Sequence, residues 1–468
     1  MKKNTIVDKL DAIDEFEREP IPESKLKNLK SFIGMYAGEH TAGTEFVIGP
    51  LFVAHGASAG AIVGGLFLGN LLAVLSWGLL TAPIATRKRL TLYYQLEKIC
   101  GKHLVKIYNL VNGLMFCFLA GSMIAVSATA VGIPFDIAMP TLTDWLPTSI
   151  GWIVVVLLVG LVITIVAILG YEQVSKFANL AAPWMILVFI AAAFAVMPDL
   201  GINSLGNFWD VAETKIWTGI PLEGQSKFTF WHVMFFAWFA NMAMHIGMAD
   251  LSIFRYARKW QYGFSSATGM YVGHYIAWMS SGILYAYVLS KYGAGGEFAP
   301  GKIAYEAAGM AGAICVVIAG WTTANPTIYR AGLAFQSINP KWKRWKVTLV
   351  TGLVTSVAAF FPALVMKLLD FVAIYGFVLM PMGAVIFIDF YIIKKLGLRD
   401  DYAVKAGLNF NWAAGLAWVI TLLAGLGLNL FLDVEVFFLG LPGWFIASAI
   451  FILLSLIIQR KHRTIKEV

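Results

Sequence analysis

Charged residues are scarce in this sequence. Asp, Glu, Lys and Arg make up 13% of its 468 residues, about half of their share in a typical soluble domain. Hydrophobic residues make up 59%, and the mean hydropathy is +0.74. A chain of this composition would aggregate in water, which excludes a soluble globular protein. The sequence therefore predicts a protein of the lipid bilayer.

Cysteines and catalytic motifs are also nearly absent. Cys100, Cys117 and Cys315 lie far apart, without CxxC or zinc-binding spacing. The sequence contains no HExxH and no GxxxxGKS/T motif, so nothing in it indicates a zinc protease or an ATP-driven pump. We expect no enzyme activity and no cofactor. The net charge of +8 fits basic cytoplasmic loops better than a nucleic-acid-binding face, so we expect no nucleic acid partner.

Long apolar runs occupy most of the chain. A helix needs about 20 apolar residues to cross the hydrocarbon core of a bilayer. Runs of this kind, separated by charged residues or by Pro, Gly, Asn and Asp, predict about twelve spans in an all-α polytopic membrane protein. We place them near residues 32–55, 59–83, 107–132, 150–170, 177–197, 228–250, 267–290, 307–330, 347–366, 369–392, 410–431 and 437–459.

The distribution of Lys and Arg predicts the orientation, because cytoplasmic loops carry an excess of these residues. The tails and alternate loops hold all of the 35 Lys and Arg except Lys215, Lys227, Lys291, Lys302 and Lys367. We therefore expect a multi-pass protein of the cytoplasmic (inner) membrane with both termini in the cytosol. Residues 1–30, which lack the apolar core of a secretory signal, and residues 460–468 would be cytosolic tails, and residues 31–459 the transmembrane domain.

The first span is a poor continuous helix. It reads GMYAGEHTAGTEFVIGP, with four glycines and a proline, which disfavour helix. An unwound stretch here would expose carbonyls and helix ends, from which transporters build binding sites. Glu39 and His40 lie either on this interior path or in solvent at the cytosolic interface. The deeper residues are candidate ligands: Gly43 and Glu45 for a substrate, and Thr41 and Thr44 for a cation.

The sixth span, FTFWHVMFFAWFANMAMHIGMAD, combines aromatic and polar residues. Asn241 and His245 are four residues apart and share a helix face. An aromatic ring such as Trp238 beside an amide suits a flat, hydrogen-bonding solute. We take these three residues as substrate-binding candidates. The alternatives are that the aromatic rings face lipid or pack in the core, and that Asn241 bridges two helices.

The eighth span ends in GWTTANPTIYRAGL. The hydroxyls of Thr322 and Thr323 are hard ligands that suit a small cation such as sodium, especially beside freed backbone carbonyls. The alternative is that both hydroxyls bond to the preceding helical turn. Asn325 follows them and is a candidate for substrate binding.

The predicted spans also divide into two sets of five. An odd number of spans in each set would insert the second set upside down relative to the first, so that span one corresponds to span six. The first set covers about residues 31–197 and the second about 228–392, and the two extra helices cover about 410–459. This is the pattern of inverted-repeat transporters, whose site lies near the middle of the membrane.

Four stretches resemble the nucleobase–cation symporter family, the purine–cytosine permeases. They are GNLLAVLSW (Gly69 to Trp77), RLTLYYQLEKICGKH after the second span, ADLSIFRYARK (Ala249 to Lys259) and GWTTANPTIYRAGL. The resemblance implies a five-plus-five inverted repeat with two extra helices. It also implies a sodium site formed by carbonyls of the broken first helix with Thr322 and Thr323.

The same resemblance implies a substrate site between spans one, three, six and eight. That site would include the positions from Trp238 to Ala243 and Asn325. In the cytosine-transporting members the third span offers a Gln and a Trp to the base, whereas the matching stretch here offers Phe116 and Leu119.

We therefore predict a cation-coupled importer of a small polar, nucleobase-like heterocycle that works by alternating access. The alternative is a sodium- or proton-coupled transporter of an amino acid, amine, osmolyte or vitamin on the same fold. Glu45 and His245 suggest either a proton as coupling ion or a positively charged substrate. The expected partners are the solute, the coupling cation and the lipid bilayer. A channel would differ by its uncoupled current.

Overall fold

The computed structural model of the chain describes residues 5–140, 144–293, 299–363 and 367–466. Helices make up most of these residues. Within them, β-structure is limited to two isolated bridges, Lys27 with Ala257 and Ser58 with Thr218. The predicted all-α class is confirmed.

The helices of the first half alternate long apolar elements with short connecting ones. They are α1 (Ile6–Asp11), α2 (Lys30–His40), α3 (Glu45–Ala54), α4 (Ala59–Ser76), α5 (Ala82–Lys88), α6 (Leu92–Cys100), α7 (Lys102–Val131), α8 (Ile150–Ile168), α9 (Tyr171–Leu200) and α10 (Leu205–Val211). Short 3₁₀ turns cover Glu23–Lys25 and Ile133–Phe135, and π-helical turns cover Trp77–Thr81 and Ala212–Ile216.

The second half begins with a set of short helices and continues with long ones. Its helices are α11 (Phe230–Phe239), α12 (Met242–His245), α13 (Leu251–Phe254), α14 (Ile276–Tyr292), α15 (Pro300–Ile338), α16 (Arg344–Ala358), α17 (Leu368–Tyr391), α18 (Tyr402–Ala406), α19 (Trp412–Leu432) and α20 (Val436–Lys466). Two 3₁₀ turns cover Trp260–Ser265 and Ile393–Leu396, and a π-helical segment, Thr268–Tyr275, leads into α14.

Eight of the described helices are long and apolar enough to cross a membrane. The predicted first, sixth, seventh and ninth spans are not among them. The first and sixth are broken into α2 with α3 and α11 with α12, the seventh starts as a π-helix, and the ninth is represented by the 15 residues of α16. The total of twelve spans therefore stays a prediction.

The break in the first span lies after His40 and packs closely against two other helices. Helix α2 ends at His40, and the hydroxyl of Thr41 bonds to the carbonyl of Ala37, one turn back. A Cβ atom on Gly43 would lie 2.8 Å from the side chain of Val126 and 3.3 Å from the backbone of Gly320. The unwound stretch therefore packs directly against α7 and α15, where a larger residue would not fit.

The helix contacts repeat between the two halves of the chain. Helix α3 packs on α14, and α11 packs on α4. In the same way α2 packs on α9, and α12 packs on α17. When spans one to five are matched with spans six to ten, the contact of span one (α3) with span seven (α14) corresponds to that of span six (α11) with span two (α4). The contact of span one (α2) with span five (α9) corresponds to that of span six (α12) with span ten (α17). The contact of span three (α7) with span eight (α15) corresponds to itself. This arrangement is the one expected of two repeats of five spans.

The segment between α1 and α2 packs onto the end of the bundle that the charge pattern places in the cytosol. Ile21 and Leu26 are buried there, and Glu15 is only 5% exposed. The carboxylate of Glu15 accepts hydrogen bonds from the hydroxyls of Tyr256 (2.7 Å) and Tyr329 (2.6 Å). Part of the predicted tail 1–30 therefore contacts the membrane domain.

Two arginines lie differently from the sequence interpretation. The charge pattern counts Arg255 and Arg330 among the loop residues, but both are completely buried. Arg255 donates to the backbone carbonyls of Glu15 (2.6 Å) and Phe16 (2.8 Å). A positive charge in the interior needs such partners, because an unpaired one is costly to bury.

Candidate functional site

A small cavity lies where the two broken helices meet α7, α15, α17 and the π-helical segment before α14. Its free volume is about 60 Å³, which is room for a few water molecules. Polar side chains line part of it, among mostly apolar ones. The polar residues are Glu39, Thr44, Glu45, Asn241, His274, Thr323, Thr327 and Tyr375.

Glu45 is the deepest acid of the cavity. It opens α3, just after the break, and is 2% exposed. Its carboxylate accepts hydrogen bonds from the indole of Trp278 and from the hydroxyl of Thr44 (3.2 Å). The Nε2 atom of His274 lies 3.9 Å from its Oε1. Glu45 is therefore held in place mainly by uncharged donors.

His274 and Trp278 are site residues that the sequence analysis missed. They belong to the π-helical segment and to α14, and their rings stack at 4.2 Å. Nε2 of His274 also lies 3.4 Å from the amide nitrogen of Asn241. A histidine in an apolar span is itself a signal of an interior path, and π-helical turns are frequent at functional sites. The sequence therefore carried a signal at this position.

A second group of acids lies at the predicted cytoplasmic end of the cavity, where Glu39 lines it and Asp250 lies behind. The guanidinium of Arg330 bonds to the carboxylate of Glu39 and, at 3.0 Å, to that of Asp250. Asp250 also accepts from the hydroxyl of Tyr36 (2.5 Å) and from the indole of Trp77 (2.8 Å). Glu39 is therefore an interior residue and not a solvated one, which resolves the two interpretations of the first span.

The paired threonines of α15 point to different neighbours. The hydroxyl of Thr323 lies 3.2 Å from the carbonyl oxygen of Glu39, near the end of α2, and 3.3 Å from that of Ala319. The hydroxyl of Thr322 bonds to Ala319 as well (2.9 Å), but lies against the sulfur of Met185 on α9. Only Thr323 faces the broken helix.

Two candidates of the sixth span lie beside the cavity without lining it. The indole of Trp238 donates to the hydroxyl of Ser76 (3.0 Å) on α4. Nε2 of His245 donates to the carbonyl of Trp238 (3.0 Å), and its ring packs on Trp77 at 4.9 Å. Of the three candidates of this span, Asn241 alone lines the cavity.

The remaining candidates are also buried but do not line the cavity. Gly43 forms the close contact between the break and α15. Phe116 on α7 packs against the ring of Tyr375 at 5.1 Å. Asn325 on α15 is 1% exposed, and neither atom of its amide has a partner among the described residues. The hydroxyl of Thr41 is occupied by the carbonyl of Ala37.

A larger vestibule adjoins the cavity on the side of the loops predicted to be external. It encloses about 530 Å³ and is lined by residues such as His55, Phe228 and Glu435. Phe236, Ala240 and Val372 line both spaces. These three residues therefore separate the cavity from the vestibule in this conformation.

Comparison with solved structures identifies the fold. The chain is similar to Mhp1, described as a nucleobase-cation-symport-1 family transporter, in a closed conformation with bromovinylhydantoin bound; the TM-score is 0.71, the identity 14%, and 94% of each chain is covered. The inward-facing conformation of Mhp1 matches with a TM-score of 0.69 and 11% identity, over 94% of this chain and 93% of that one. The fold implied by the sequence resemblance is confirmed.

A third solved structure shares the fold. It is a Na⁺-coupled sialic acid symporter in a substrate-bound outward-open state, with a TM-score of 0.61 and 17% identity, over 91% of this chain and 88% of that one. No family model matches the sequence, and no curated protein matches it either. At these identities the solved structures define the architecture of the chain and leave its solute to be inferred from the cavity.

Proposed function

We propose that this protein is a secondary transporter that imports a small polar solute, coupled to a cation, by alternating access. The observation that carries the proposal is the cavity between the two broken helices, lined by buried carboxylates, an amide and hydroxyls. Polar groups in the interior of a membrane protein are costly and mark a solute or ion path. The similarity in fold to a nucleobase-cation-symport-1 family transporter and to a Na⁺-coupled sialic acid symporter supports the same conclusion.

Sodium is the coupling ion that we propose. Its site would include the carbonyl oxygen of Glu39 and the hydroxyl of Thr323, which approach within 3.2 Å. Both are uncharged oxygen ligands, and a half-helix end with its carbonyls is a typical sodium site in transporters. A tenfold sodium gradient supplies about 1.4 kcal/mol, and a potential of 100 mV about 2.3 kcal/mol for each charge. Together they would support substantial accumulation of the solute.

The solute that we propose is a flat, nitrogen-containing heterocycle of nucleobase type. Asn241 offers both a donor and an acceptor to the edge of such a ring. Phe236 and Tyr375 line the same cavity and can cover its faces. Because the cavity is small in this conformation, the solute would enter from the vestibule when Phe236, Ala240 and Val372 move apart.

The inward-facing state would require changes at the opposite end. There the bonds of Arg330 with Glu39 and Asp250 and those of Glu15 with Tyr256 close the path. We propose that the two repeats, residues 31–197 and 228–392, move relative to each other to open this end. The helices at about 410–459 lie outside the repeats. Both termini would then be in the cytosol, and the protein in the cytoplasmic membrane.

Binding to the purified protein tests the proposal. A ligand that binds only the folded state raises its melting temperature. We expect sodium to raise the melting temperature where potassium does not, and a heterocyclic solute to raise it further only when sodium is present. The variant Thr323→Ala, which lacks one proposed sodium ligand, should lose the response to sodium. Equal melting temperatures in sodium and potassium, with and without each solute, would contradict the proposal.

A further inference from the structure

The acids around the cavity outnumber the bases. Glu39, Glu45 and Asp250 are 8%, 2% and 0% exposed. In the described part of the chain, Arg330 is the one Lys or Arg that forms an ion pair with any of them. When all three acids are ionised and the histidines are neutral, this group has two negative charges in excess. A buried charge without a counter-charge is costly, so the site favours the entry of positive charge.

His274 approaches Glu45 without forming a hydrogen bond with its carboxylate. Its Nε2 atom lies 3.9 Å from Oε1 of Glu45, beyond hydrogen-bond distance, and 3.4 Å from the amide nitrogen of Asn241. The carboxylate of Glu45 is therefore not bound by His274 in this conformation.

The hydrogen bonds of the Glu45 carboxylate come from uncharged groups. The indole of Trp278 and the hydroxyl of Thr44 orient the carboxylate but bring no charge. The carboxylates of Glu39 and Asp250 differ, because both form ion pairs with Arg330. Glu45 is thus an oriented acceptor at the cavity that the protein itself leaves without a cation.

We propose that the transported solute is an organic cation with N–H donors, an amidinium, guanidinium or protonated amine, which binds to the carboxylate of Glu45. This inference rests on the proposed cation-coupled transport and replaces its nucleobase-type heterocycle by a cationic solute. Amidinium and guanidinium groups present two parallel donors to the two oxygens of a carboxylate. One sodium ion near Thr323 and one singly charged solute would together balance the two excess negative charges.

The walls of the cavity fit such a solute. Phe236 and Tyr375 line it, and aromatic faces attract cations. The hydroxyl of Tyr375, which is 5% exposed, has no hydrogen-bond partner in the described part of the chain. It can accept an additional N–H from the solute. The geometry therefore provides a carboxylate, an unused hydroxyl and aromatic rings for one planar cation.

Pairs of solutes with the same shape and different charge test the inference. The probes are guanidinium with urea, and benzamidine with benzamide, each added to the purified full-length protein in sodium. We expect each cation to raise the melting temperature and to bind at least tenfold more tightly than its neutral partner. Equal or tighter binding of urea or benzamide would overturn the inference, because Glu45 would then bind neutral solutes.

Variants of Glu45 test whether its carboxylate causes the preference for cationic solutes. Glu45→Gln should abolish the preference for the cation, and Glu45→Asp, which keeps the charge, should retain it. The matched control Glu435→Gln, in the vestibule, should bind both members of a pair like the wild type. A preference for the cation that persists in Glu45→Gln would also overturn the inference.

The response to sodium distinguishes a failure of this inference from a failure of the proposed function. A protein that is stabilised by sodium and by neutral heterocycles would remain a transporter candidate without a cationic solute. A protein that responds to neither sodium nor any solute would contradict both.

Discussion

The cavity and its lower, predicted cytoplasmic end hold buried acids of two kinds. At the lower end, Glu39 and Asp250 share the guanidinium of Arg330, and Asp250 has two further donors. Higher in the cavity, the carboxylate of Glu45 accepts from uncharged donors, and Nε2 of His274 lies 3.9 Å from it. The shared guanidinium makes the first group a structural closure that stabilises one conformation. The absence of an Arg or Lys partner among the described residues makes Glu45 a group that a ligand can pair with.

Removing the shared arginine should have the largest effect. Arg330→Met leaves Glu39 and Asp250 buried without their cation, and breaking a buried ion pair in this way costs about 3–5 kcal/mol. We expect that loss in the free energy of unfolding, measured by chemical denaturation in detergent. The exposed Arg258→Met is the matched control and should change little. Equal stability of the two variants would show that the lower group is not a closure.

The second-largest loss of stability is expected when the hydrogen bonds of Glu15 in the N-terminal segment are removed. Glu15→Ala removes the acceptor of the hydroxyls of Tyr256 and Tyr329. Hydrogen bonds to charged groups contribute about 1.5–3 kcal/mol each, and both tyrosines donate to the same carboxylate oxygen, so we expect a combined loss of about 3 kcal/mol in the free energy of unfolding. Proteolysis of the first 30 residues should become faster as well. Glu19→Ala, at an exposed position of the same segment, serves as the control; an equal cleavage rate in both variants would refute the prediction.

Replacing Glu45 should have the opposite effect on the stability of the unliganded protein. Glu45→Gln removes a buried charge without a fixed counter-charge, so the unliganded protein should be as stable as the wild type or more stable. The same substitution should weaken solute binding at least tenfold. The melting temperature with and without guanidinium measures both effects. A destabilisation as large as that of Arg330→Met would mean that the two groups of acids do not differ.

The two adjacent threonines allow a narrower test of the sodium site. Thr323→Ala should remove the stabilisation by sodium, which amounts to about 2.7 kcal/mol at a concentration of 100 times Kd. Thr322→Ala should keep it, because the hydroxyl of Thr322 lies against Met185 and not at the break. Melting temperatures over a range of sodium concentrations measure the difference. Loss of the response in Thr322→Ala alone would move the site away from Glu39.

The smallest effect is expected at Asp401, near the predicted cytoplasmic surface. Burial raises the pKa of Asp401, but Lys88 (3.0 Å) and Lys98 (3.1 Å) outweigh it and hold the pKa below its ordinary value of 3.8. A lowered carboxyl pKa contributes stability above pH 3.8, which is lost as the pH falls through the lowered value. Asp401→Asn should therefore reduce stability at neutral pH and flatten its decrease in acid. The exposed Asp210→Asn is the control; identical pH profiles for Asp401→Asn and the wild type would contradict this assignment.

Much of the fold could be predicted from the sequence, because the signals were local. The glycines and the proline of the first span predicted its break, and the lengths of the apolar runs predicted the long helices. The count of basic residues placed Arg255 and Arg330 with the cytoplasmic loops and helix ends, and it could not show that they are buried, because a count does not register their partners. Those partners, Glu15 and Glu39, are distant in sequence and become neighbours only in the folded chain.

The candidate site was harder to predict than the fold. Adjacent residues of a helix point about 100° apart, so the sequence could not decide whether Thr322 or Thr323 faces the break. Trp238 and Asn241 are three residues apart and would share a face of a continuous helix. The break between α11 and α12 separates them, and only Asn241 lines the cavity. His274 lies in the seventh span, which has no predicted break, so the pattern of broken helices did not indicate it.

Solute-induced current in proteoliposomes tests the central claim most directly. With an inward sodium gradient, we predict a current when guanidinium or benzamidine is added, and none when sodium is replaced by potassium on both sides. Glu45→Gln and Thr323→Ala should each abolish it. A current that persists without sodium, or that flows as a steady conductance without added solute, would contradict coupled transport through this cavity.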